Sequence, residues 1–230
     1  MAITTVLLDA GGVILDESKQ ERLAAKIAAH IIGEIEPNFH ESTYWADIAQ
    51  AVRSFAPNAY RSVVWKYCRG DESLFNRLWE QFDTTWRTDR PPLRLTPRFE
   101  REGRALSDDF NLAIAGKYGS EIFDFLGDEG LLDLFVHRFS QDDFAVTKPN
   151  PTYLAQIAAR CDVLPGECVM VGDRVDNDIV PAKMLGTKTI LIRTGIHRDQ
   201  MPRTPPEMPD VELAGVDGLA AAVRDIARKG

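Results

Sequence analysis

The chain has 230 residues, 44% of them apolar, and a net charge of −8, so it can build a sizeable core as one large domain or a domain with an insert. The negative charge works against non-specific binding to nucleic acid or an acidic membrane, which leaves small-molecule chemistry as the expectation. Cys68, Cys161 and Cys168 show no CxxC spacing, which argues against a disulfide framework or zinc site; with no recognisable export signal or membrane span, a cytosolic protein is expected.

Residues 3–8 are a nearly continuous apolar and β-branched run, the pattern of a strand buried on both faces, and it ends on Asp9 followed by Gly11-Gly12. Over residues 19–87 the spacing is helical, with Leu23, Ile27 and Ile31 on one stripe and Phe75, Trp79, Phe82 and Trp86 on another. This predicts a small helical bundle after the first strand. The aromatic stripe reads as bundle core, with a substrate-binding wall as the alternative. Pro91-Pro92 cannot continue a helix and mark the exit from the insert.

Strand and helix patterns then alternate, with strands at 112–115, 135–139, 168–171 and 189–192 and helical spacing at 151–159 and 178–185. Asn150-Pro151 offers a helix cap and a first-turn proline, which sets Lys148 in the turn before that helix. Residues 201–209 hold four prolines and read as a loop, and 218–228 as a closing helix. Arg94, Arg98, Arg101 and Arg104, interleaved with Glu100 and Glu102, read as a solvated helix face. His30, His40, His137 and His197 show no metal-ligand spacing, while Arg193, His197 and Arg198 follow the last strand where they could touch a substrate. The expected fold is α/β, a doubly wound parallel sheet of Rossmann type over residues 1–16 and 92–230, with an α-helical cap inserted at 17–91.

Ligands of a parallel sheet bind outside the carboxyl ends of its strands. Asp9 and Asp173 would both be delivered there, and two carboxylates in one crevice can hold a divalent cation. Lys148-Pro149 lies between them in sequence. The order of strand, aspartate, helical insert, Lys-Pro and then Val171-Gly172-Asp173-Arg174-Val175-Asp176-Asn177-Asp178-Ile179, followed by Ala182-Lys183 and Gly186, resembles the haloacid dehalogenase (HAD) superfamily of aspartate-nucleophile hydrolases. Members with a helical cap of the C1 type are the nearest in layout, and the resemblance covers nearly the whole chain. It implies Asp9 as nucleophile and Lys148 as stabiliser of the transferring charge. It also implies Mg²⁺ held by Asp9, Asp173 and the backbone carbonyl of Gly11, with Asn177 and Asp178 orienting its waters. Gly116 and Lys117 would bind phosphate after the second strand, Gly116 through its backbone N–H and Lys117 through its charge. The implied reaction is hydrolysis of a small phosphate monoester through an aspartyl-phosphate.

Two positions depart from the family pattern. Its phosphatases carry a second aspartate two residues after the nucleophile, a general acid worth ~100 to 10,000-fold in rate, and here that position is Gly11. The serine or threonine expected after the second strand is replaced by Gly116. These departures leave open a metal-independent 2-haloacid dehalogenase, a phosphonate hydrolase drawing on Lys19, Lys26 or Lys66, a displaced acid at Asp16, Glu17 or a cap residue, and a catalytically weak binding protein.

Overall fold

A computed structural model describes residues 2–229. In chain order the elements are β1 (Thr5–Leu8), α1 (Ser18–Gly33), α2 (Glu41–Arg53), α3 (Ala59–Tyr67), α4 (Glu72–Asp89), α5 (Phe99–Ser107), β2 (Asn111–Ile114) and α6 (Glu121–Asp128). There follow β3 (Phe135–His137), α7 (Pro151–Arg160), β4 (Cys168–Gly172), α8 (Val180–Met184), β5 (Lys188–Ile192), β6 (Val211–Leu213) and α9 (Leu219–Lys229). The chain divides into two units: Met1–Asp16, Leu93–Thr194 and Met201–Gly230 form the first, and Glu17–Pro92 with Gly195–Gln200 the second.

Among the described residues the six strands of the first unit are all parallel, in the order β3-β2-β1-β4-β5-β6. The pleat sends alternate side chains to opposite faces. Val6, Leu8, Leu112, Ile114, Val169 and Val171 enter one core with Phe99 and Leu106 of α5, Ile122 of α6 and Val223 of α9. Leu7, Ala113, Cys168 and Met170 enter the other with Tyr153 and Ile157 of α7 and Ala182 of α8. Helices therefore cover both faces, which is why these strands read as unbroken apolar runs. Strand order reverses between β1 and β4, the switch point where such sheets open a crevice at their carboxyl ends. The register Leu8↔Val171 brings the ends of β1 and β4 to this point together.

Several local expectations are corrected. The 135–139 strand stops at His137, and the 178–185 helix is a π turn over Val175–Ile179 followed by the short α8. Edge strand β6 goes unrecognised in the sequence because three residues after a proline-rich stretch carry too little alternation to register. The α5 face is not simply solvated. Glu102 is buried and accepts the Ala220 N–H at 3.0 Å, capping α9, while Arg101 pairs with Glu102 and Asp217. As expected, Asn150 caps α7 by accepting the Thr152 N–H at 3.0 Å, with Pro151 in the first turn. The three cysteines are buried free thiols.

The second unit packs α1–α4 around Ile27, Ile31, Tyr44, Ile48, Val63, Phe75, Leu78 and Phe82. Within the aromatic stripe Phe75 and Phe82 are core, whereas Trp79 and Trp86 are half-buried and stack on Phe82 with centroids 4.9 and 6.2 Å apart. Residues 195–200, taken in the sequence as part of the α/β region, belong by their contacts to this unit, where the Ile196 N–H donates to Glu21 Oε1 at 2.9 Å. Among the described residues no helix is long and apolar enough to cross a membrane.

Candidate active site

Asp9 follows β1 and Asp173 follows β4, so the two strands flanking the switch point each present a carboxylate at their carboxyl ends. With Asp178 they form a buried group whose ligand atoms all lie within 4.8 Å of one another. Lys148 is 1% exposed, although a lone lysine before a helix would ordinarily be a surface residue. Its ammonium donates to Asp9 Oδ1 at 2.8 Å and to Asp178 Oδ1 at 2.5 Å. Burial works against the charge on Lys148, but Asp178 and Asp9 outweigh it and hold the pKa above the ordinary lysine range. The ammonium is therefore a fixed positive charge at the carboxyl ends of β1 and β4.

Asp178 is the anchor of this arrangement. Its Oδ1 takes the Lys148 bond and its Oδ2 accepts the Arg174 backbone N–H at 3.0 Å, so both oxygens are engaged by protein donors. The π turn over Val175–Ile179 carries Asp178 back beneath β4, and Gly172 makes the approach possible: a Cβ there would stand 2.3 Å from Asp178 Cγ. The glycine thus makes room for a side chain of the site. At Gly12 the backbone is left-handed (φ +70°) and a Cβ would lie 2.9 Å from Asp173 Oδ2, so this glycine lets the loop after β1 close on Asp173. Gly11 sits on the same loop, half-buried and bridged to Leu15, and Asn177 is buried beside Asp178.

Ala115 donates its N–H to the Leu8 carbonyl at 2.7 Å, which sets Gly116 and Lys117 beside the β1 loop. Gly116 is pressed against Ala10, where an added Cβ would be 2.5 Å from Ala10 Cβ and 2.7 Å from its nitrogen, so the position has no room for the serine or threonine expected there. Its carbonyl accepts the hydroxyl of the buried Tyr153 at 2.9 Å, a residue not singled out in the sequence because a tyrosine on an apolar helix face reads as core. Lys117 is exposed, yet partial burial of its ammonium, together with the charges of Arg174 and Lys148, holds its pKa below the usual lysine range. Arg174 is the second overlooked residue; its guanidinium pairs with Asp176 at 2.7 Å.

Other expected candidates are engaged elsewhere. Asp16 pairs with Arg94 at 3.5 Å, Arg193 with Glu212 at 2.9 Å and Lys66 with Asp47 at 2.6 Å. His197 and Arg198 fall in the helical unit, where Glu21, Trp45, Ile48 and Arg198 line a cavity of about 360 Å³.

A family model described as HAD-hydrolase-like matches residues 145–219, the stretch that contains Lys148, Asp173 and Asp178. Over that stretch the chain is similar to the HAD-like hydrolases. It is 37% identical to glyceraldehyde 3-phosphate phosphatase of Methanopyrus kandleri over 105 residues, 44% of this chain and 45% of the relative. It is 33% identical to phosphoglycolate phosphatase of Vibrio vulnificus over 92 residues, 40% of each. The chain thus spans less than half the length of the curated relatives it matches. Among solved structures, the HAD phosphatase from Thermococcus onnurineus shares the fold with a TM-score of 0.59 and 22% identity over 96% of this chain and 98% of that one. YfnB of Bacillus subtilis, solved bound to magnesium, gives a TM-score of 0.67 and 20% identity over 97% of this chain and 99% of that one. Gly11 and Gly116 are the two positions that the resemblance singled out as departures, and both lie outside the matched stretch.

Proposed function

We propose that this chain is a metal-assisted phosphatase that releases phosphate from a small phosphorylated molecule, with Asp9 as the nucleophile. The observation that carries the reading is the buried group of Asp9, Asp173 and Asp178, two of them paired with the Lys148 ammonium, at the carboxyl ends of β1 and β4. The phosphatase names of the partly overlapping relatives agree with it.

The donor set is all oxygen, and three carboxylates gather where one ammonium pairs with two of them, so the site fits a hard divalent cation such as Mg²⁺. Asp9, Asp173 and the Gly11 carbonyl would hold it. Bound there, it would supply Lewis-acid stabilisation of phosphoryl oxygens. Asp9, oriented by the Ala10 N–H at 2.8 Å and by Lys148, attacks phosphorus and forms an acyl phosphate that water then cleaves. Lys148 offsets the charge that builds up during transfer. Asp178 acts by fixing Lys148, and Asn177 by supporting that turn. Gly116, through its backbone N–H, and Lys117, through its charge, bind the phosphoryl oxygens. The helical unit is assigned the part of specificity cap, and a cytosolic location suits the small-molecule chemistry.

The test is phosphate release from a panel of phosphate esters and phosphoanhydrides, with Mg²⁺ or chelator, for wild type and Asp9→Asn. Metal-dependent release abolished by the substitution is the expected result; no release from any compound refutes the reading. Gly11 favours a second reading, hydrolytic dehalogenation, because a halide leaves without a proton. Turnover of 2-haloacids that persists in chelator would establish that one instead.

A further inference from the structure

We propose that the helical unit binds a free α-amino acid with an apolar side chain, in a cavity built wholly from that unit's own residues. The cavity measures about 360 Å³ and is lined by the N-terminal end of α1, the middle of α2 and residues 195–200, all parts of this unit. Its volume equals roughly a dozen waters at ~30 Å³ each, room for a ligand the size of leucine or phenylalanine. Trp45, Ile48 and Ile196 give it an apolar wall. The Trp45 ring meets the fully buried Tyr44 ring edge-on, with centroids 5.1 Å apart, which restrains its plane before any ligand arrives. Glu21 holds the third wall in place. Its Oε1 accepts the Ile196 N–H at 2.9 Å, and a Cβ on Gly195 would stand 2.7 Å from the same oxygen.

The charges around the cavity select the ligand. Arg22 and Arg198 bring two guanidiniums and Glu21 and Asp199 two carboxylates, so the formal charge of the lining sums to zero. A ligand of one sign meets repulsion as well as attraction there, whereas a zwitterion meets a partner for each of its ends. Among the described residues Arg22 and Asp199 have no hydrogen bond or ion pair, and both are exposed. With Glu21 engaged by Ile196, these two are the cation and the anion open to a ligand. A guanidinium takes a carboxylate through two parallel N–H bonds, and a carboxylate takes an ammonium through charge-assisted bonds. An α-amino acid carries both groups on one carbon and leaves its side chain to lie on the Trp45 wall. Apolar walls with a few convergent polar anchors are the ordinary construction of a small-ligand site. Neither Asp9 nor a metal takes part, so the inference stands apart from the phosphatase reading.

The experiment is calorimetric titration of the full chain, in chelator at neutral pH, with L-phenylalanine, L-leucine and glycine. Two further probes are 3-phenylpropionate, which is phenylalanine without its ammonium, and phenethylamine, which is phenylalanine without its carboxylate. Phenylalanine or leucine should bind at one site per chain, ~10-fold or more tighter than glycine and than either single-charge probe, the worth of one charge-assisted hydrogen bond. Arg22→Gln should weaken phenylalanine ~5-fold or more without weakening phenethylamine, and Asp199→Asn should do the same without weakening 3-phenylpropionate. Binding of 3-phenylpropionate or phenethylamine as tight as that of phenylalanine overturns the inference, because the cavity then reads one charge or none. Failure of both phenylalanine and leucine to bind at millimolar concentration also overturns it, as do folded variants that bind phenylalanine like the wild type. Both substituted positions are exposed, and the wild-type series decides by itself if a variant does not fold.

Discussion

Replacing Lys148 with methionine keeps the apolar stem and removes the one ammonium that bridges Asp9 and Asp178. Asp178 is fully buried and Asp9 is 7% exposed, so water cannot take over from the lost cation without opening the site. Breaking one partner out of a buried pair costs about 3–5 kcal/mol because it leaves an uncompensated charge. For a domain of this size that corresponds to a fall in Tm of roughly 6–20 °C. Urea denaturation at pH 7 in chelator, followed by circular dichroism, measures it. Asp178→Asn removes one of the two stranded charges while retaining an oxygen for the Arg174 N–H. The double variant should therefore lose less than the sum of the singles, by about 1–3 kcal/mol. The raised pKa of Lys148 fixes the pH window. Its contribution is present in full below the unfolded lysine value of about 10.4 and is lost as pH rises through the higher folded value. The gap between wild type and Lys148→Met should accordingly stay level from pH 7 to about 10 and close only in more alkaline solution. A loss under about 1 kcal/mol, or strict additivity in the cycle, would refute the view that Lys148 is held by these two aspartates.

Tyr153→Phe removes the donor to the Gly116 carbonyl and should cost about 1–3 kcal/mol in urea denaturation. Burial pushes the Tyr153 hydroxyl up to about 12, so its contribution is present below about pH 10 and fades as pH rises toward 12. The wild type should lose more stability than the phenylalanine variant over that interval, and parallel pH curves would contradict it. Restoring the family hydroxyl by Gly116→Ser should destabilise by about 1–3 kcal/mol, since its Cβ meets Ala10 at 2.5 Å; a neutral result in the same assay would show that the β1 loop yields easily. Gly12→Ala crowds Asp173 at 2.9 Å and forces a left-handed alanine. Calorimetric titration with Mg²⁺ should show affinity reduced ~10-fold or more, and unchanged affinity would remove Asp173 from the metal reading.

Much of the first unit was legible because buried parallel strands have a signature of their own. The apolar runs ending at Asp9 and Asp173 suited strands covered on both faces, and the glycines beside them marked sharp turns. The cap of α7 was legible for the same local reason, as Asn150 and Pro151 act within one turn. Edge strand β6, the buried end of Glu102 and the joining of residues 195–200 to the helical unit were not, because each depends on a partner distant in sequence.

The candidate site divides along the same line. Strand-end position already nominated Asp9 and Asp173, since a parallel sheet must deliver its strand ends to one edge, and the resemblance added Lys148 through its place ahead of Pro149 and Gly172-Asp173. That Lys148 is buried, that Asp178 spends one oxygen on Lys148 and the other on the Arg174 N–H, and that Gly172 and Gly12 make room for aspartates were decided by the tertiary structure alone. The physical reason is range. Hydrophobic periodicity and turn chemistry act over a few neighbouring residues, whereas the bonds that set charge and orientation here join positions 30 and 139 residues apart, which only the completed sheet brings within 3 Å.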